Sequence, residues 1–266
     1  MHKFLYLFLA FSLFSACEKA SLNSAGDSIT RPVVQAFLQP GATPSVKITA
    51  QLPFGSSDTV VHTIDNLSVL IESNGQQFPL EFVDTGTYVG NFVPIAGQTY
   101  SLSFTFNGKN VTAQTVIPSK PTSLTASASS IQIAQFTPGG GGFNNIPDPI
   151  ALSWDNPDNA YCLVVIANTD TDPTSIFPVT DANMPPRLIF RSQPEQVSAY
   201  EINARSFRYY GHHDVIVYRL NPEYASLYDN SGNSSQNLVS PFTNVVGGLG
   251  IFTGVNADTV HVYVYE

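Results

Sequence analysis

The residues able to do chemistry are few and scattered. His212-His213 is the one adjacent histidine pair in the chain. Neighbouring residues of a strand point to opposite faces, so these two imidazoles cannot chelate together without a turn. Following Tyr209-Tyr210-Gly211, they are expected in a loop that leads into a strand at 215–220. Asp155, Asp158, Asp170 and Asp172 are the nearest thing to a carboxylate cluster. Calcium takes about six to eight oxygens from a spaced acidic loop, and the Asp-x-Asp-x-Asn-Gly form of that loop is absent. Asp155-Asn-Pro-Asp158 is an ordinary turn sequence, in which short polar side chains bond the local backbone. A glycoside hydrolase would need two carboxylates facing across a cleft, which spacing alone does not give. The sequence has no Gly-x-Ser-x-Gly elbow and no His-Glu-x-x-His pair. Gly139–Gly142 and Gly247-Gly248 lack the Lys-Ser/Thr of a phosphate-binding loop and read as a flexible insertion and a tight turn. The expectation is a protein with no catalytic residue, metal or cofactor.

The two cysteines differ in meaning. Lys3 is followed by the apolar run Phe4–Phe14 and then by Ser15-Ala16-Cys17. A charged start, an apolar stretch and a small-residue cleavage site form an export leader. The run is shorter than the roughly 20 residues of a membrane span. Cys17 stands where a bacterial lipoprotein is cut and acylated, and two or more acyl chains give stable anchoring. The expected layout is a leader over 1–16, lipidation at Cys17, and a small, polar tether over 17–30. Cys162 lies in Tyr161-Cys-Leu-Val-Val-Ile-Ala167 and reads as a small core residue.

Composition narrows the partners. The net charge is −9, and charged residues make up 12% of the chain, against about a quarter in ordinary domains. The 11 Lys and Arg form no stripe, which argues against nucleic acid.

The elements that must position any site are strands. Tyr100, Leu102, Phe104 and Phe106 alternate with Ser101, Ser103 and Thr105, the period of a half-buried strand. Asn107-Gly108 then supplies a two-residue hairpin turn, and the chain returns over 111–117. Asn74-Gly75 joins 67–73 to 76–82 in the same way. Further strands are expected at Val46–Leu52 and, after the Asp84–Gly86 turn, near Tyr88–Val93. The segment 31–118 thus predicts six or seven strands and one β-sandwich. Pro118-Ser-Lys-Pro121 interrupts the ladder pattern and marks a linker. Over 119–266 the strands Ile150–Trp154, Tyr161–Ala167, Val197–Ile202, Val215–Leu220 and Thr259–Tyr265 predict a second, fibronectin III- or immunoglobulin-like sandwich with long loops at 138–149, 168–186 and 229–250. Tyr161–Ala167 is apolar on both faces, the mark of a central strand. One helix is expected at 222–229, capped by Asn221, with Pro222 in its first turn, Glu223 complementing its dipole, and Tyr224, Leu227 and Tyr228 as its buried stripe.

Tyr218-Arg-Leu-Asn-Pro-Glu-Tyr-Ala225, Leu238-Val-Ser-Pro-Phe-Thr-Asn-Val245 and Gly247-Gly-Leu-Gly-Ile-Phe-Thr-Gly254 form a pattern, with Gly86-Thr-Tyr88, Gly97–Leu102 and Ala113–Pro118 earlier in the chain. This pattern resembles a large Bacteroidota family of outer-membrane lipoproteins described only as domain of unknown function 4249. The resemblance implies a lipid-anchored outer-membrane protein, often beside a TonB-dependent receptor, and supplies no active site. It leaves open whether the periplasmic or the cell-surface face is occupied. It also implies O-glycosylation at Asp-Ser/Thr-aliphatic triplets, here at Ser28, Thr59 and Thr259, with Ser28 in the tether the most accessible.

The functional expectation is a cell-envelope accessory protein that binds a glycan, a peptide or a protein partner near an uptake system. The alternatives are a glycan-active hydrolase with a carboxylate pair and a purely structural spacer or assembly subunit.

Overall fold

The computed structural model describes residues 30–52, 60–136, 146–177, 187–228 and 242–266. These residues hold fifteen strands, one short helix and two single-turn 3-10 segments. Cys17, Ser28 and Thr59 lie outside the described residues, as do Gly139–Gly142 and parts of all three long loops.

The first module contains seven consecutive strands: β1 (Pro32–Leu38), β2 (Ser45–Ala50), β3 (Val69–Ser73), β4 (Gln76–Asp84), β5 (Thr87–Gly90), β6 (Thr99–Phe106) and β7 (Lys109–Val116). Both Asn-Gly turns form as the sequence predicts. Asn74 and Gly75 have φ of 51° and 75°, and Asn107 and Gly108 have 49° and 73°, the positive values that a type I′ hairpin needs. Along the sheet the order is β1-β2-β5-β4-β3-β6-β7. Alternating residues from every strand, among them Ile48, Ile71, Tyr88, Tyr100 and Leu102, fill one core.

The second module has two facing sheets. β8 (Thr122–Ala126), β10 (Ile150–Asp155) and β13 (Ala199–Ile202) form one, in the order β13-β10-β8. The other contains β11 (Tyr161–Asn168), β12 (Ile189–Arg191), β14 (Gly211–Leu220) and the end of β15 (Leu249–Tyr265), with β9 (Ser130–Gln132) beside β15. Trp154, Val164, Phe207, Val217 and Val262 pack between the layers. This is the strand arrangement of a fibronectin III- or immunoglobulin-like sandwich, so the all-β reading with one short helix holds.

β15 departs from the expected division of the chain. Val255–Val264 pairs with β14 inside the second module, but Leu249–Gly254 pairs in parallel with Val33–Leu38 of β1. Val245 and Phe252 belong to the first core. The first module therefore takes strand and core residues from the far end of the sequence. Its sheet also curls back on itself. The Thr112 N–H donates to the Val246 carbonyl at 3.0 Å, and the Val246 N–H to the Thr112 carbonyl at 2.8 Å. The glycines of the 247–254 pattern make the wedge fit. A β-carbon on Gly254 would sit 2.5 Å from the Val116 carbonyl oxygen, and one on Gly250, whose φ is +96°, would run into the Val34 backbone.

The helix α1 spans Pro222–Ala225 and is followed by a 3-10 turn over Ser226–Tyr228. Two details differ from expectation. Asn221 does not cap with its side chain. Its amide donates to Thr115 Oγ1, the Val116 carbonyl and the Gly254 carbonyl at 3.1, 2.7 and 3.2 Å. These acceptors lie where β7 ends and β15 crosses between modules, and turning the amide nitrogen toward them takes the side-chain oxygen, the group that would cap, away from the helix N–H groups. The apolar stripe is only partly buried: Tyr224 packs half-buried against the outer sheet face, but Leu227 is 43% and Tyr228 38% exposed. Glu223 faces inward and accepts the hydroxyls of Thr115 and Thr253 at 2.9 and 3.0 Å, which ties the helix that follows β14 to the first module.

Candidate functional site

β11 and β14 are apolar on both faces, and only one face meets the sandwich core. Cys162, Val164 and Ile166 point inward with Val215 and Val217. Leu163 and Val165 point outward with Ile216, Tyr218, Leu220 and Val255. In an ordinary sandwich this outer face would meet water and carry polar residues. Here it forms the floor of a groove of about 340 Å³. Phe37 and Gln39 of the first module close one end, α1 contributes Tyr224, and Ile189 and Arg191 of β12 form the opposite rim.

Aromatic contacts hold the groove at the module junction. The Phe37 and Tyr224 rings meet edge-on at 5.7 Å, and Tyr224 and Tyr228 lie 5.8 Å apart. Burial pushes the Tyr224 phenol well above its usual range, helped by the Tyr228 hydroxyl at 3.5 Å. Tyr224 therefore stays neutral and able to donate. Among the described residues Arg191 is the one charged residue lining the groove. Phe37 and Ile189 remain 39% and 49% exposed.

The chemically capable residues do not converge. Asp155 accepts from the Thr122 and Ser123 hydroxyls, and Asp158 pairs with Arg219. Asp170 pairs with His212 at 3.1 Å, at the other end of β11. The two carboxylate pairs are thus separated by the length of an eight-residue strand, roughly 25 Å. Among the described residues no group of three or more His, Cys, Asp and Glu is placed to hold a metal ion. Asn156 closes the Asp155–Asp158 turn through the Ala160 N–H and carbonyl, both at 2.9 Å.

His212 and His213 lie on β14 itself and not in the expected loop, because strand pairing with β15 runs back to Gly211. They do occupy opposite faces. His212 is exposed, whereas His213 is buried edge-on against Phe207 at 5.0 Å. Burial lowers the His213 pKa. Its Nδ1 lies 3.1 Å from the Gly211 carbonyl, and its Nε2 lies 3.3 Å from the Asn168 amide nitrogen. These partners suit the neutral ring with the proton on Nδ1.

Cys162 is buried, as read from its apolar run. Burial pushes its thiol up, against smaller lowering effects from Trp154 and Arg219. Thr259 is exposed in the middle of β15. Its N–H donates to Asp258, whose carboxylate pairs with Lys120 at 2.9 Å. Among the described residues no helix is long and apolar enough to cross a membrane.

The groove was missed from sequence. Its signal was the doubly apolar run of β11 repeated in Val215-Ile-Val-Tyr218, since two adjacent strands of that kind leave one face to be covered.

Residues 26–260 match the family described as Domain of unknown function (DUF4249). No curated protein matches the chain. Among solved structures, the FN1–FN3 domains of chicken CNTN1 align over 90% of this chain at 10% identity, with a TM-score of 0.27. The aligned chain spans 65% of that structure.

Proposed function

This chain belongs to the DUF4249 family, and from that premise we propose that it is a non-enzymatic, lipid-anchored envelope protein that docks a partner in the groove between its modules. The observation that carries this reading is the apolar groove floored by Leu163, Val165, Ile216 and Tyr218 on the outer face of the sheet, with Phe37 and Ile189 exposed at its rim. A concave, mainly apolar lining with an exposed apolar rim is the kind of surface that marks interaction sites. In this reading Cys17 carries the acyl chains, residues 17–30 form the tether, and the partner is a component of a TonB-dependent outer-membrane uptake system.

The test is co-purification from native membranes with the wild-type chain and with Ile216→Lys, which places a charge on the groove floor without touching either core. The expected result is a protein partner retained by the wild type and lost from a folded Ile216→Lys chain. Equal recovery of every co-purifying protein by both would overturn the groove as the docking site. An unacylated Cys17 in the mature protein would overturn the anchor.

A further inference from the structure

Among the described residues one edge of the long sheet is open beside the groove. There β12 ends the strand order, with β11 as its paired neighbour. The Asn168 N–H donates to the Leu188 carbonyl, and the Ser192 N–H to the Val164 carbonyl, both at 2.9 Å. Phe190 lies opposite Ile166 between them. In an antiparallel pair the bonding residues alternate. Leu188, Phe190 and Ser192 therefore face β11, while Ile189 and Arg191 turn their N–H and C=O groups outward. Phe190 packs toward the sandwich core, which puts the Ile189 and Arg191 side chains on the opposite, groove face.

Resting on the docking reading above, we propose that β12 accepts an extended segment of a partner protein as an added strand, with an acidic residue on Arg191 and apolar residues in the groove. The geometry links the two halves of that statement. A strand bonded to the outward N–H and C=O groups of Ile189 and Arg191 sets its directly opposed side chains on the groove face. Backbone bonds then supply affinity and alternate side chains supply selectivity. The charge follows from the lining. Among the described residues Arg191 makes no ion pair and no Asp or Glu lines the groove, in a chain with 20 acids and 11 bases. The chain's own segments 178–186 and 229–241 read Pro-Val-Thr-Asp-Ala-Asn-Met-Pro-Pro and Asp-Asn-Ser-Gly-Asn-Ser-Ser-Gln-Asn-Leu-Val-Ser-Pro. Neither alternates apolar residues, which favours an occupant supplied by another protein.

The experiment is selection of random nonapeptides displayed on phage against the full mature chain, with selected peptides then measured on Ile189→Pro and Arg191→Glu. Proline removes an outward donor at an edge position that tolerates it. Selected peptides are expected to alternate apolar residues around one acid and to protect the Ile189 and Arg191 amides from hydrogen exchange. Each variant should weaken them by about tenfold or more, and Arg191→Glu should turn the preference toward basic peptides. Peptides that bind all three proteins alike, or that leave those amides exchanging freely, would overturn the proposal. So would binding that appears only after residues 229–241 are deleted, which would assign the groove to the chain itself. Dimerisation of the wild type that Ile189→Pro abolishes would assign the edge to a second copy. If Ile216→Lys loses the native partner while Ile189→Pro and Arg191→Glu keep it, the docking reading stands and the added strand fails.

Discussion

His213 sets an acid limit on the fold. Its neutral ring donates at Nδ1 to Gly211 and accepts at Nε2 from Asn168. Protonation would oppose an N–H to the Asn168 amide inside the core. Because burial lowers its pKa from the ordinary 6.5, the unfolded chain takes up this proton at higher pH than the folded one. The His213 contribution is therefore fully present above about pH 6.5 and is lost as pH falls toward the lowered value. Urea unfolding at about pH 7.5 and about pH 5 should show an acid loss of stability that is reduced in His213→Gln. An unchanged acid loss in the variant would place its origin elsewhere. The opposite-face placement of the two imidazoles was legible from strand geometry alone. Which one faced the core was not, because that depends on the register with β15.

The junction between modules depends on short contacts along β15. Gly254 lies against the backbone of Val116 and Ile117. Gly254→Ala should force β7 away from β15 and destabilise the chain by more than the roughly 1 kcal/mol of a conformationally neutral glycine change. A thermal midpoint equal to the wild type would contradict the wedge. Glu223→Ala leaves the nearly fully buried Thr115 and Thr253 hydroxyls without their shared acceptor. The expected cost is about 1–3 kcal/mol in denaturant unfolding, and Glu223→Gln should cost less because its carbonyl can still accept. Sequence reading was reliable where local chemistry decides the outcome, as at Asn74-Gly75 and Asn107-Gly108. It named no strand at β1, seven residues long, and missed β8, β9 and β12, which are three to five residues long and too short for a period to register. It also missed the first half of β15, since Leu249–Gly254 is covered on both faces and glycine-rich, so it neither alternates nor looks like a strand.

At the scale of the molecule, one strand, β15, is shared by the two modules. It runs 17 residues through both, roughly 55 Å at ~3.3 Å per residue. β1 runs parallel to its first half, so Pro32 lies at the end of the first module farthest from the second. Shared strand and core residues also predict cooperative unfolding. Calorimetry should give one transition for the mature chain, and two resolved transitions would show that β15 does not couple the modules. The all-β, sandwich-type architecture was legible from strand counts and turn signals. The sharing of one strand was not, because parallel pairing between residues more than two hundred positions apart leaves no local trace. The same sharing places the groove where Phe37, β11, β14 and α1 meet. Photo-crosslinking in native membranes probes that location most directly, with the photoreactive residue at Tyr224 in the groove or at Thr125 on the opposite sheet. A discrete protein adduct from Tyr224 that is absent from Thr125 is expected. No adduct from Tyr224, or the same adducts from both, would contradict a partner-binding groove.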